Sequence, residues 1–138
     1  MNQPLPYTRD ERLWASFCHL SALLGIVVPV VGQIGGPLIF WVIKKRESAF
    51  INHQGLESLN FQVTITLLNI IGILLCISGI IPAIIDADQY WMLSGLWMIF
   101  GILILTITFF YWLIYTIIAT VRANNGECFA YPLVLRIF

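Results

Sequence analysis

The chain has 138 residues, room for one domain, and 59% of them are hydrophobic while only 10% are charged. Soluble globular proteins sit near 45 to 50% and 25%, so a water-soluble fold is excluded on composition alone. Seven basic residues balance seven acidic ones, which leaves no polycationic surface and no nucleic-acid partner to expect.

Cys18, Cys76 and Cys128 stand far apart, without a C-x-x-C or a Cys/His ligand spacing. Neither a disulfide scaffold nor a zinc module fits, and no cofactor is expected. An apolar stretch follows Arg9 and Arg12, but no small-x-small cleavage site comes after it, so the N-terminus reads as retained.

Residues 1 to 8, MNQPLPYT, carry two prolines and no periodicity and read as a tail. A helix can start at Thr8, with Asp10 and Glu11 in the first turn, where the helix dipole favours acids. From Leu13 to Val28 the chain is apolar apart from Ser16, His19 and Ser21. Pro29, Gly32, Gly35, Gly36 and Pro37 then interrupt it, and Pro37 suits the first position of a new helix running to the cluster Lys44, Lys45 and Arg46.

Lengths and charges arrange these pieces. At 1.5 Å per residue, Leu13 to Val28 covers about 24 Å and Pro37 to Lys45 about 14 Å, both short of a hydrocarbon core of about 30 Å. One broken helix crossing once, or a short hairpin that dips in and returns, would account for them. The cations are Arg9, Arg12, Lys44, Lys45, Arg46, Arg122 and Arg136, while the loop from Pro82 to Tyr90 has Asp86 and Asp88 and none. A hairpin puts all seven on the cytoplasmic side; a single crossing strands Arg9 and Arg12 outside. The hairpin is therefore preferred, with its glycine-rich turn inside the bilayer and covered by other helices.

Phe50, Ile51, Leu56 and Leu59 lie among Glu47, Asn52, His53 and Glu57, as in an interfacial stretch leading into a span. A long helix then crosses the membrane and ends at Pro82. The last long run, Trp91 to Val121, would measure about 45 Å, longer than the bilayer. Trp91 and Trp112, about 32 Å apart on a helix, match the two interfacial belts. Asn124, Asn125 and Gly126 make a C-terminal cap with Arg122 in the last turn, and LVLRIF after Tyr131 and Pro132 reads as a short interfacial helix.

Polar residues within the apolar helices are the candidates for function. His53, Glu57, Asn60 and Thr64 are spaced four, three and four apart and share one helix face. Such a row can handle protons or substrate, but a helix end entering water, with Asn60 and Thr64 bonding a neighbouring helix, is the preferred reading. Gln62, Thr66 and Asn69 lie on the opposite face, so both sides are expected to meet protein, from this chain or a partner subunit, with a water-filled cavity as the alternative. Ser94, Gly101, Thr108, Tyr115 and Arg122 recur every seven residues, a seam suited to close helix packing. His19 reads as an interhelical hydrogen-bond donor, and with His53 it supplies too few ligands for a metal or haem site. Lys44, Lys45 and Arg46 are candidate headgroup contacts, although three cations fall short of the roughly four to eight that mark lipid-specific clusters. No nucleophile with a matching base, phosphate loop or paired carboxylates within an apolar segment can be found, so no enzymatic activity is expected.

The elements His19-Leu20-Ser21, Gly36-Pro37-Leu38 with Trp41, Leu59-Asn60-Phe61-Gln62 after Glu57, and Gly126-Glu127 before Tyr131-Pro132-Leu133 stand in one order along the chain. In this the chain resembles a family of small bacterial membrane proteins grouped with the chloroplast inner-envelope Tic import component. The resemblance covers about residues 9 to 138 and implies a multi-helix inner-membrane protein of an assembly or translocation apparatus. Members often have a lysine before the glutamate corresponding to Glu57, where this chain has Leu56.

These readings converge on an all-α integral membrane helical bundle: a tail over 1–8, then one domain over 9–138. It has a short N-terminal helical hairpin broken at Pro29 to Pro37, two long transmembrane helices and a short C-terminal interfacial helix. The helices are expected at about 9–28, 37–46, 53–81, 91–124 and 132–138, in the bacterial inner (plasma) membrane with both termini cytoplasmic. The expected role is a structural or accessory subunit contacting lipids and other membrane proteins or copies of itself; the alternative is a Tic-like channel or translocation component for polypeptide or a small solute.

Overall fold

The computed structural model describes residues 7–138, apart from the side chain of Ala87; the expected tail therefore falls largely outside the described residues. The protein is all-α, with no strand among the described residues. Four helices follow in order: α1, Arg9–Leu20; α2, Val31–Lys44; α3, Ala49–Ile85; and α4, Ala87–Asn124. A 3-10 turn, Ser21–Ile26, continues α1. The chain divides into two compact units, one of residues 1–64 and 113–138 and the other of 65–112.

In the first unit α1 starts on a capping box. Glu11 N donates to Thr8 Oγ1 at 3.2 Å, and Thr8 N donates to Glu11 Oε2 at 2.8 Å. These bonds satisfy two of the backbone donors a helix start leaves open. α1 and α2 form a hairpin whose two arms return to one end, where Ser48 Oγ donates to Glu11 Oε1 at 2.6 Å and Lys44 Nζ lies 5.2 Å from the Trp14 ring centroid.

The expected break at Pro29 to Pro37 is shorter in the structure. α2 begins at Val31, after Val30 takes the left-handed φ of 62°, and Pro37 lies inside the helix. Two of the glycines that read as turn residues, Gly32 and Gly36, are helical contact points instead: a Cβ on Gly36 would collide with the Ser21 carbonyl, whereas Gly35 faces open space. Small residues here serve to bring two helix backbones together, as they do in membrane helix pairs. Proline forfeits one hydrogen bond inside a helix, and Pro37 is fully buried there.

α3 and α4 are longer than the apolar runs that define them, at 37 and 38 residues. Pro82 lies within α3, and the expected loop from Pro82 to Tyr90 shrinks to Asp86, whose Oδ1 accepts from Gln89 N at 3.0 Å at the start of α4. α4 ends where the sequence places its cap: Gly126 has φ 77°, and Glu127 N donates to Arg122 O at 3.0 Å.

In the second unit the apolar halves of α3 and α4 run antiparallel. The heptad seam carries their contact, since a Cβ on Gly101 would lie 2.7 Å from Gly72 O and 2.5 Å from Cys76 Sγ. Ser94 and Thr108 are buried beside it. Both helices are long and apolar enough to cross a membrane, and only 11% and 22% of their most apolar windows is buried against protein. A soluble protein's core helix would be mostly covered, whereas these helices leave most of their apolar surface open. Trp91 is 67% exposed, as an interfacial anchor is, whereas Trp112 is buried and cannot serve the second belt as expected.

Candidate functional site

The polar row of α3 lies in the first unit, and the chain's own C-terminal segment occupies it. Residues 128–138 contain no helix, contrary to the interfacial helix expected from LVLRIF. A positive φ of 53° at Leu133 turns the segment, and its backbone bonds to side chains of α3 in place of helical partners. Asn60 does most of this: its Oδ1 accepts from Ile137 N at 2.9 Å and Phe138 N at 3.0 Å, and its Nδ2 donates to Phe138 O at 3.2 Å. Leu135 N donates to Thr64 Oγ1 at 3.1 Å, and Thr64 Oγ1 in turn donates to Asn60 O at 2.8 Å. Glu57 accepts from Tyr131 N at 3.3 Å and faces Arg136 Nε at 3.3 Å.

Tyr131 is the anchor of this strap. Its ring stacks on Phe61 at 3.9 Å and meets Phe129 edge-on at 5.0 Å. Its hydroxyl donates to His19 Nδ1 at 2.9 Å, while His19 Nε2 donates to Gln54 Oε1 at 2.9 Å. That tautomer follows because the Gln54 carbonyl oxygen can only accept. His19 is fully buried, so the ring bridges α1, α3 and the strap with both nitrogens used. A few ångströms away Ser58 Oγ donates to Cys18 O at 2.7 Å and ties α3 to α1 again.

The other singled-out residues are distributed as follows. His53 is exposed, with Nδ1 3.5 Å from Gln54 Nε2, and no group of three or more metal-ligating side chains forms among the described residues. Gln62 is fully buried; Thr66 and Asn69 are half-buried. Thr108 Oγ1 donates to Ile104 O at 2.6 Å within its own helix, and Tyr115 is half-buried. Lys44 pairs with Glu47 at 2.6 Å, Lys45 lies 4.0 Å over the Trp41 ring, and Arg46 is exposed.

Gln54, Ser58, Ser48 and Tyr131 are the residues that sequence reasoning missed. Gln54 and Ser58 are four apart on a helix that starts earlier than expected, so their placement on a packed face was a readable signal. Tyr131 stood out only as part of the Tyr131-Pro132-Leu133 element, and its contacts were not readable because Phe61 and His19 are 70 and 112 residues away.

At the unit's base, the carboxylate of Glu11 is held below its ordinary pKa by the Ser48 hydroxyl and by the backbone and side chain of Thr8. Arg12 Nη1 donates to Asn124 O at 3.0 Å and so satisfies a carbonyl at the end of α4. The arrangement is a chain of mutually satisfied polar groups that fixes α1, α3, the end of α4 and the strap to one another.

Comparison with curated proteins and with solved structures found no match. A family model does match, over residues 10–138, and its description is the magnetosome magnetite crystal formation protein family. It is a family of small membrane proteins, which agrees with the coarse part of the resemblance read from the sequence; no link to the Tic component accompanies it. With all but the first nine residues matched, this chain belongs to the magnetosome magnetite crystal formation protein family, MamF/MmsF.

Proposed function

We propose that the protein is a structural subunit of a magnetosome membrane assembly that supports magnetite crystal formation, without catalysis of its own. The family supplies the process and the compartment. Asn69 carries the assembly reading. It lies half-exposed in the apolar half of α3 among Leu67, Leu68, Ile70 and Ile71, each 38 to 48% exposed, and its side chain hydrogen-bonds no described residue. An amide facing hydrocarbon seeks a partner on a neighbouring helix, worth about 0.6 kcal/mol on average in membranes. In this reading the partner is another membrane subunit or a second copy of the chain.

The orientation that fits has all cations, the strap and both ends of the chain on the cytoplasmic side of a bacterial membrane. The hairpin geometry supports it, because Glu11 and Ser48 share one end. A conduit has no comparable support: the polar row it would need on α3 is filled by the strap. Purification from native membranes in mild detergent, with Asn69→Leu as comparison, tests the proposal. A larger particle that the substitution weakens is expected; a strictly monomeric, partner-free particle would refute it.

A further inference from the structure

The hairpin of the first unit carries on one side a groove of about 390 Å³ lined by Phe17, Leu20, Leu23, Leu24, Val27 and Phe40. Its walls are open: Leu20 is 41%, Leu24 53% and Val27 79% exposed. Ser21 also lines it, and the Ser21 hydroxyl is buried there without a hydrogen-bond partner among the described residues.

Above the groove an aromatic ladder leads to charge. Phe17 stacks on Phe40 at 5.4 Å, Phe40 meets Trp14 at 5.8 Å, and Lys44 Nζ lies 5.2 Å from the Trp14 ring. Lys44, Lys45 and Arg46 outnumber Glu47 at this rim, leaving two net positive charges. From Lys44 to Val31 the helix measures about 20 Å, the depth of one leaflet with its headgroups.

We infer that this face binds one anionic phospholipid, with its phosphate at the Lys44 to Arg46 rim and an acyl chain in the Phe17 and Phe40 groove. Charge at one end and a hydrocarbon-lined trough select that chemistry. A partner helix would fill the trough but leave Lys45 and Arg46, the cations not paired with Glu47, without an anion among the described residues. The inference rests on the membrane placement proposed above.

The test uses the full chain in non-denaturing detergent, offered equal amounts of dioleoyl phosphatidylglycerol and dioleoyl phosphatidylcholine and weighed by native mass spectrometry. One phosphatidylglycerol per chain is expected, retained about tenfold over phosphatidylcholine. Replacing Lys44, Lys45 and Arg46 together by Gln should abolish the preference, and Leu20→Trp, at a half-open position, should abolish retention. Equal retention of both lipids, insensitivity to Leu20→Trp, or displacement by millimolar glycerol phosphate would overturn the site. Alkaline extraction of vesicles separates the two proposals: protein that stays in the bilayer but shows no preference sinks the lipid site alone, and protein that washes off sinks both.

Discussion

The strap depends on Asn60 more than on any other single side chain, and Asn60→Leu removes its polar contacts while keeping the number and branching of side-chain heavy atoms. Three hydrogen bonds disappear, to Ile137 N, Phe138 N and Phe138 O. At about 0.5 to 1.5 kcal/mol each they would amount to roughly 3 kcal/mol. Ile137 and Phe138 are 58% and 68% exposed, so water can solvate the freed backbone, and about 2 kcal/mol is the better expectation. That corresponds to a roughly 30-fold loss of protection. Hydrogen–deuterium exchange of the amides of Leu135, Ile137 and Phe138 in detergent measures it directly. Thr64→Ala provides the contrast, because it should expose Leu135 while leaving Ile137 and Phe138 largely protected. Unchanged exchange at Ile137 and Phe138 in Asn60→Leu would mean that the side-chain clamp does not hold the strap.

Other expectations follow from packing, charge and exposure. Gly101→Leu should lower the melting temperature in detergent, at a cost of about 1 to 3 kcal/mol from overpacking against Gly72 and Cys76. Gly95→Ala, with open space around the added Cβ, should be neutral or slightly stabilising, and equal effects at the two sites would contradict the seam. Because the folded-state pKa of Glu11 lies below the ordinary 4.5, its stabilisation is present above that value and disappears as pH falls through the folded pKa. Melting curves of wild type and Glu11→Gln should therefore differ near neutral pH and converge in acid; a gap that widens in acid would contradict the Ser48 and Thr8 bonds. In sealed vesicles an impermeant maleimide should reach the exposed Cys128, together with single cysteines introduced at Arg9 and Arg46, from the same side, while the buried Cys18 stays unreacted until unfolding. Labelling of positions 9 and 46 from opposite sides would overturn the hairpin topology.

The matched periodicities were the most legible part of the chain. Spacings of three and four placed Glu57, Asn60 and Thr64 on one face, and seven-residue spacing placed Ser94, Gly101 and Thr108 on one seam, because a helix enforces those neighbours whatever surrounds it. Glycine and proline were the least legible. Pro37 and Gly36 read as breakers by local rule, yet close packing of two helix backbones makes a small residue as useful inside the helix as outside it. Pro82 likewise does not end α3, which continues to Ile85.

Composition, charge placement and helical period determined by themselves that this is an all-α chain with two spans' worth of apolar helix, polar faces at defined positions, and cations grouped away from Asp86 and Asp88. Those properties are local sums and spacings, which survive any tertiary arrangement. What covers the polar row was decided by tertiary structure alone. The strap reaches Asn60 from 77 residues away and Tyr131 reaches His19 from 112, and nothing in the local chemistry of LVLRIF distinguishes a helix on a lipid surface from an extended segment whose backbone bonds another helix.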